Sequence, residues 1–237
     1  LVAATAGWIG YMIQQSLENA LRLAGCDREV STVITQVRVR HDDPALTAPT
    51  KFIGHEIPAT RVPALLGRGV AVTKDARGRY RRVVGSPAPL AVHEVGIIRR
   101  LVQSGTIVIA CGGGGAPIYY DDRRGWEGLD AVIDKDLAAA VLARDLGASL
   151  LMILTDVDGV YLDYGKPEQR MLDTLTLGEA ARLDAAGAFG AGSMAPKVRA
   201  AADFVRHTGG RAIITELARG REAVRGAAGT TIIAENA

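Results

Sequence analysis

Lysine is scarce in this chain. Among 28 basic residues in 237, only Lys51, Lys74, Lys135, Lys166 and Lys197 are lysines; the other 23 are arginines. Where arginine serves as the usual surface cation, each remaining lysine is worth asking about, because only lysine offers a compact point charge on a flexible stem. Cysteine is scarcer still. Cys26 and Cys111 make no disulfide framework and fit a reducing, cytoplasmic setting. An excess of charge is also lacking: 28 basic against 26 acidic residues give a net charge of +2, no footprint for nucleic acid. No apolar run approaches the roughly 20 residues of a membrane span, and no secretory leader pattern opens the chain. The four histidines, His41, His55, His93 and His207, show no metal-ligand spacing, so no metal ligands are assigned. What is present is an apolar share of 48%, enough for a sizeable core in one large or two small domains.

The apolar spacing of Ile9, Met12, Ile13, Leu17, Ala20 and Leu21 predicts a helix over 3–24, with Gly25 as its stop. Residues 30–40 alternate as a strand with one wetter face. A Pro-rich stretch follows. A hairpin is then expected, with Val70–Thr73 and Arg79–Val84 flanking Asp75-Ala76-Arg77-Gly78. From residue 94 the pattern changes to helices alternating with short apolar strands. Helices are expected at 94–103, 134–146, 176–187 and 196–207, and strands at 106–110, 149–154, 211–215 and 230–234. Thr176 followed by Glu179 matches a capping box. Near-continuous apolar strands alternating with helices predict an α/β fold with a mainly parallel sheet covered on both faces. The stretch 38–92 lacks that alternation and reads as a β-rich insertion protruding from the core.

Ligands in such folds bind at the carboxyl ends of strands, and four segments lie at such ends or at helix starts. After the 106–110 strand comes Cys111-Gly112-Gly113-Gly114-Gly115, whose bare backbone either approaches an anion or simply turns. It matches neither a P-loop nor a dinucleotide fingerprint. The Cys111 thiol reads as a small buried apolar group rather than a nucleophile. Asp134-Lys135-Asp136 opens a helix, with Asp134 a good N-cap. A lysine in that first turn opposes the helix dipole and points to an anionic ligand or a solvated start. Thr155-Asp156-Val157-Asp158-Gly159-Val160-Tyr161 follows an apolar strand; its acids could bind Mg²⁺ or a ribose, or form a turn. Gly190-Ala191-Gly192-Ser193-Met194-Ala195-Pro196-Lys197 is a small-residue loop leading into a helix, with Lys197 near its positive end. That combination reads as a phosphate site, or as an exposed lysine on a helix start.

Asp134-Lys135-Asp136, Thr155-Asp156-Val157-Asp158 and Ser193-Met194-Ala195-Pro196-Lys197-Val198, in this order, resemble the amino acid kinase family. Gly7-Trp8-Ile9-Gly10-Tyr11, Asp43-Pro44-Ala45, Pro49-Thr50-Lys51, the four-glycine run and Tyr164-Gly165-Lys166-Pro167 narrow the likeness to the carbamate kinases. The resemblance implies a three-layer αβα sandwich with a mainly parallel sheet, forming a single kinase domain over 1–237 with 38–92 as a protruding subdomain. It implies transfer of a phosphoryl group between ATP and carbamate with Mg²⁺, run towards ATP synthesis in arginine catabolism, by a cytoplasmic homodimer. By the same resemblance Lys51, Lys135 and Lys197 handle the transferred group and Asp136 orients the lysines. Thr155, Asp156, Val157, Tyr164, Met194 and Lys197 lie near the nucleotide, and Gly112, Gly113, Gly114 and Gly115 near phosphate or substrate. The family carries a strand and a Gly-Gly-Asn loop ahead of the Gly7-Trp8 helix, so the chain is expected to lack about a quarter of the domain. It also departs at Phe52, where proline is usual, and at Ala195, where glycine is usual. Two other readings stand beside this one. The first is a non-catalytic subunit binding nucleotide or carbamoyl phosphate. The second is a kinase for acetylglutamate or a nucleoside monophosphate, against which Pro49-Thr50-Lys51 argues.

Overall fold

A computed structural model describes residues 1–75, 77–189 and 194–235. They form two compact units, Leu1–Lys135 and Asp136–Ala237.

The first unit opens with α1 (Val2–Leu23), the helix its apolar spacing predicts. Its end is a Schellman motif. Gly25 has a φ of +66°, its N–H donates to the Arg22 carbonyl, and the Cys26 N–H donates to the Leu21 carbonyl. Gly10 is the buried residue of α1, and a Cβ there would lie 2.3 Å from Thr32 Cγ2. The helix therefore lies close against β1 (Val30–Thr32). The single strand expected over 30–40 is divided into β1 and β2 (Gln36–Arg38). Next come α2 (Pro44–Thr47), β3 (Lys51–Ile53), α3 (Val62–Leu66), β4 (Val72–Lys74), β5 (Tyr80–Val84), β6 (Ala91–Val92) and α4 (Val95–Gln103). The unit closes with β7 (Ile107–Ile109), β8 (Ala116–Asp121) and β9 (Gly125–Gly128). β1 pairs with β7 in parallel, and β2 pairs with β8 in parallel, with antiparallel β6 and β9 at the edges of that sheet. The division at 33–35 has a local cause. The glycine turn at 112–114 separates β7 from β8, so the strand alongside loses its ladder there too. Thr35 instead accepts the Cys111 N–H on its hydroxyl at 2.5 Å and the Ala116 N–H on its carbonyl. The expected hairpin is present as β4 and β5, and β3 joins it to make an antiparallel sheet of three strands within the 38–92 stretch.

The second unit follows the alternation read from the sequence. It contains α5 (Lys135–Leu146, opening on the last residue of the first unit), β10 (Leu150–Thr155), β11 (Val160–Leu162), β12 (Arg170–Leu172), β13 (Thr174–Thr176) and α6 (Leu177–Ala185). α7 (Met194–Thr208), β14 (Arg211–Glu216), α8 (Gly220–Val224) and β15 (Thr230–Ile233) complete it. The sheet order is β10-β14-β15-β13: two parallel pairs, β10 with β14 and β13 with β15, joined by one antiparallel pairing. The capping box of α6 forms as expected, with Thr176 and Glu179 each accepting from the other's backbone N–H. α7 supplies Val198, Ala201, Phe204 and Val205 to a core shared with Ile153, Ile214 and Ile232. Its alanines, including Ala200 and Ala202, let the helix approach the sheet closely. The α/β class and the parallel pairing are as the sequence predicts.

Candidate active site

The sequence singles out lysines, and the structure gives Lys51, Lys166 and Lys197 aspartate partners. In the first unit β3 carries Lys51, whose Nζ donates to Asp134 Oδ2 at 2.5 Å. The position of Asp134 is set by tight packing just before it. The Val132 N–H donates to the Gly85 carbonyl, and Ile133 is 1% exposed. A Cβ on Gly114 would sit 2.3 Å from the Ile133 carbonyl oxygen, and one on Gly115 would sit 2.5 Å from Val37 Cγ2. Gly113, Gly114 and Gly115 all have positive φ, as does Cys111 at +55°. Two of the four glycines are thus required by close packing and by left-handed backbone, independently of any ligand. Burial pushes the Cys111 thiol up to about 11, which keeps it protonated and agrees with an inert apolar role.

In the second unit Lys197 Nζ donates to Asp136 Oδ2 at 2.9 Å, and both side chains are over nine-tenths buried. Asp136 lies in the first turn of α5 and Lys197 in the first turn of α7. An acid suits its helix end; a lysine does not. A buried pair contributes little net stability, because desolvation offsets the attraction. A lysine held at an unfavourable helix end by a buried acid is better explained by a bound anion than by stability. Lys135, between the two aspartates in the chain, is exposed. The loop Gly190-Ala191-Gly192-Ser193, expected to cradle phosphate, lies outside the described residues.

The second unit also holds a cleft of about 640 Å³. Asp156, Val157, Tyr164 and Met194, all expected near a nucleotide, line it. Thr155 is not in its lining; the Thr155 hydroxyl donates to Asp156 Oδ1 at 3.0 Å. Lys166 lines the cleft too and donates to Asp163 at 2.7 Å. Sequence reasoning included Tyr161 at the end of its segment but gave it no role. Its ring centroid is 5.7 Å from that of Tyr164, and its hydroxyl donates to Asp158 Oδ1 at 2.8 Å. The Asp158 carboxylate beside it raises the Tyr161 phenol above its ordinary value. Asp158 in turn lies 3.7 Å from Arg219. Sequence reasoning missed the far wall at 186–189. The signal available for Tyr161 was its spacing of three from both Asp158 and Tyr164. Two phenol rings on a half-open cleft suit the flat face of a base. Among the described residues no group of three or more His, Cys, Asp or Glu could hold a metal ion.

The profile of the amino acid kinase family matches residues 50–216. A carbamate kinase of Pyrococcus horikoshii is 46% identical over 231 residues, 97% of this chain and 73% of that protein. The structure of a carbamate kinase from Giardia lamblia bound to citric acid superimposes with a TM-score of 0.90 at 38% identity, covering 98% of this chain and 74% of the other. The structure of the Giardia lamblia carbamate kinase bound to AMP-PNP gives 0.88 at 39% identity over the same shares.

Proposed function

Because this chain belongs to the amino acid kinase family, we propose from that premise that it works as a carbamate kinase, ATP + carbamate ⇌ ADP + carbamoyl phosphate. Relatives over 40% identical along almost the whole chain carry that name. The observation that carries the reading to individual residues is the pair of lysine–aspartate contacts, Lys51 with Asp134 and Lys197 with Asp136.

Phosphoryl transfer asks little covalent chemistry of a protein. It asks for alignment of donor and acceptor and for positive charge where negative charge spreads over the equatorial oxygens. Lys51, Lys135 and Lys197 are the groups assigned to neutralising the transferred charge, and the β-rich stretch 38–92 is read as the protruding subdomain of a single kinase domain. Asp136 orients Lys197. Ammonium groups suit this task because they follow moving charge, whereas a guanidinium presents a fixed fork. Gly112, Gly113, Gly114 and Gly115 bring bare backbone to the substrate side. The nucleotide occupies the cleft lined by Asp156, Val157, Tyr164 and Met194; Thr155 and Lys197, outside that lining, are assigned to the nucleotide by the family resemblance, and the AMP-PNP complex of the Giardia lamblia relative supports ATP or ADP as the occupant. Magnesium carried by the phosphates needs only one or two protein carboxylates, and Asp156 on the cleft wall fits that demand. Bound there, Mg²⁺ supplies further charge neutralisation.

A homodimer is part of this reading. The exposed apolar groups of α1, with Trp8 67%, Tyr11 61% and Met12 50% exposed, support a partner on that helix. No described helix is long and apolar enough to cross a membrane. Both cysteines are free thiols, which supports a reducing cytoplasm. The direct test is formation of ATP from ADP and carbamoyl phosphate with Mg²⁺, profiled against acetylglutamyl phosphate and nucleoside diphosphates. Turnover with carbamoyl phosphate alone agrees with the reading. Preference for another phosphoryl donor, or binding without turnover, would overturn it.

A further inference from the structure

Asp134 is more than the residue before a helix. We infer that it is a positioning residue for the reaction: its carboxylate holds the Lys51 ammonium at the start of α5, so that the lysine is aimed rather than solvated. This rests on the role proposed above for Lys51.

Lys51 stands on β3, in the small antiparallel sheet, where its backbone pairs with Val84. Its side chain is 36% exposed, so solvent is open to it. A free lysine in that setting samples many rotamers, and holding one of them costs side-chain entropy. The structure nonetheless places its Nζ on Asp134 Oδ2, whose side chain is only 13% exposed. Asp134 can serve as an anchor because the residues before it cannot move. Ile133 is fully buried, its carbonyl lies against Gly114, and the Val132 N–H is bonded to Gly85. Gly85 is itself tightly placed, since a Cβ there would sit 3.0 Å from the Ala45 carbonyl oxygen. The sequence does the rest. Asp134 precedes Lys135, and Asp136, which holds Lys197, follows it. Two lysines of the proposed set are therefore held by acids two positions apart in one short segment. An arriving phosphoryl group competes with Asp134 for Lys51, so the carboxylate keeps the ammonium close until substrate takes it.

The bland role for Asp134 is helix capping, and the two roles separate experimentally. Asparagine caps as well as aspartate but carries no charge. Asp134→Asn should keep the melting temperature of the parent and lower kcat on the order of 10-fold to 100-fold, the scale of a misplaced catalytic group. Asp134→Glu should recover part of the loss. Lys51→Ala combined with Asp134→Asn should be no slower than Lys51→Ala alone, because Asp134 acts through Lys51. Parental kcat and KM in Asp134→Asn, with Lys51→Ala crippled, would overturn the inference and leave the proposed function standing. So would losses that multiply in the double variant, or activity that falls only in step with melting temperature. Parental rates in Lys51→Ala would instead overturn the role of Lys51 and the inference with it.

Discussion

Lys197 shows how far a single residue could be read from the sequence. Its scarcity as a lysine and its place near a helix start marked it, and the resemblance gave it a role. The resemblance put Asp136, 61 positions away, beside the lysines, but no local pattern shows that contact or its burial. That contact changes how substitutions must be read. Lys197→Ala leaves Asp136 buried without this partner, at a cost of about 3–5 kcal/mol. Loss of activity in that variant alone would not separate chemistry from folding. Cys111 is the simpler case, since its burial was expected from its residue type. Its thiol pKa rises from 9.0 in the unfolded chain to about 11 in the folded one. The unfolded state therefore sheds this proton first. The contribution is present in full below about pH 9 and is lost as pH rises towards 11. Denaturant titrations should show stability falling across that window, and Cys111→Ala should flatten the fall. An unchanged slope in Cys111→Ala would contradict the assignment.

At the scale of elements, long periodic segments were legible and short ones were not. α1, α4, α5, α6 and α7 all fall within a few residues of their expected ranges, because a helix repeats its pattern over several turns. β11, β12 and β13 have three residues each, too few for alternation to register. The β8–β9 hairpin was missed although its turn, Asp121-Asp122-Arg123-Arg124, is polar; the Asp121 carboxylate accepts the backbone N–H groups of Arg123 and Arg124. The single strand expected at 30–40 failed for a different reason: pairing depends on the partner, and the partner is interrupted by glycines. The glycine run itself invited a ligand reading, yet the structure shows a packing demand as well. This separates the four glycines. Gly114 has φ +96° and no room for a Cβ, whereas a Cβ on Gly113, at φ +67°, would meet only Val2 Cγ1 at 3.6 Å. Gly114→Ala should therefore destabilise by roughly 2–5 kcal/mol, strain and overpacking together. Gly113→Ala should cost less. Equal melting temperatures for the two variants would contradict this account of the turn.

For the whole molecule, class was readable. Apolar strands alternating with helices gave the α/β fold, and motif order gave the family. The exposed side of α1 was not legible, because Trp8, Tyr11 and Met12 carry the same periodicity whether they face a core or a partner. If that side joins two copies, Tyr11→Glu with Met12→Glu should convert a dimer of about twice 24.9 kDa to a monomer in light scattering. A mass unaffected by both changes would place any interface elsewhere. The central claim remains that lysines placed as point charges drive phosphoryl transfer between ATP and carbamate. The most direct measurement is kcat for ATP formation from carbamoyl phosphate and ADP in Lys197→Arg, which keeps the positive charge opposite Asp136 but not the mobile ammonium. The account predicts a folded protein with kcat reduced on the order of 100-fold or more, the scale of losing one transition-state donor. A folded Lys197→Arg variant turning over at the parental rate would contradict it.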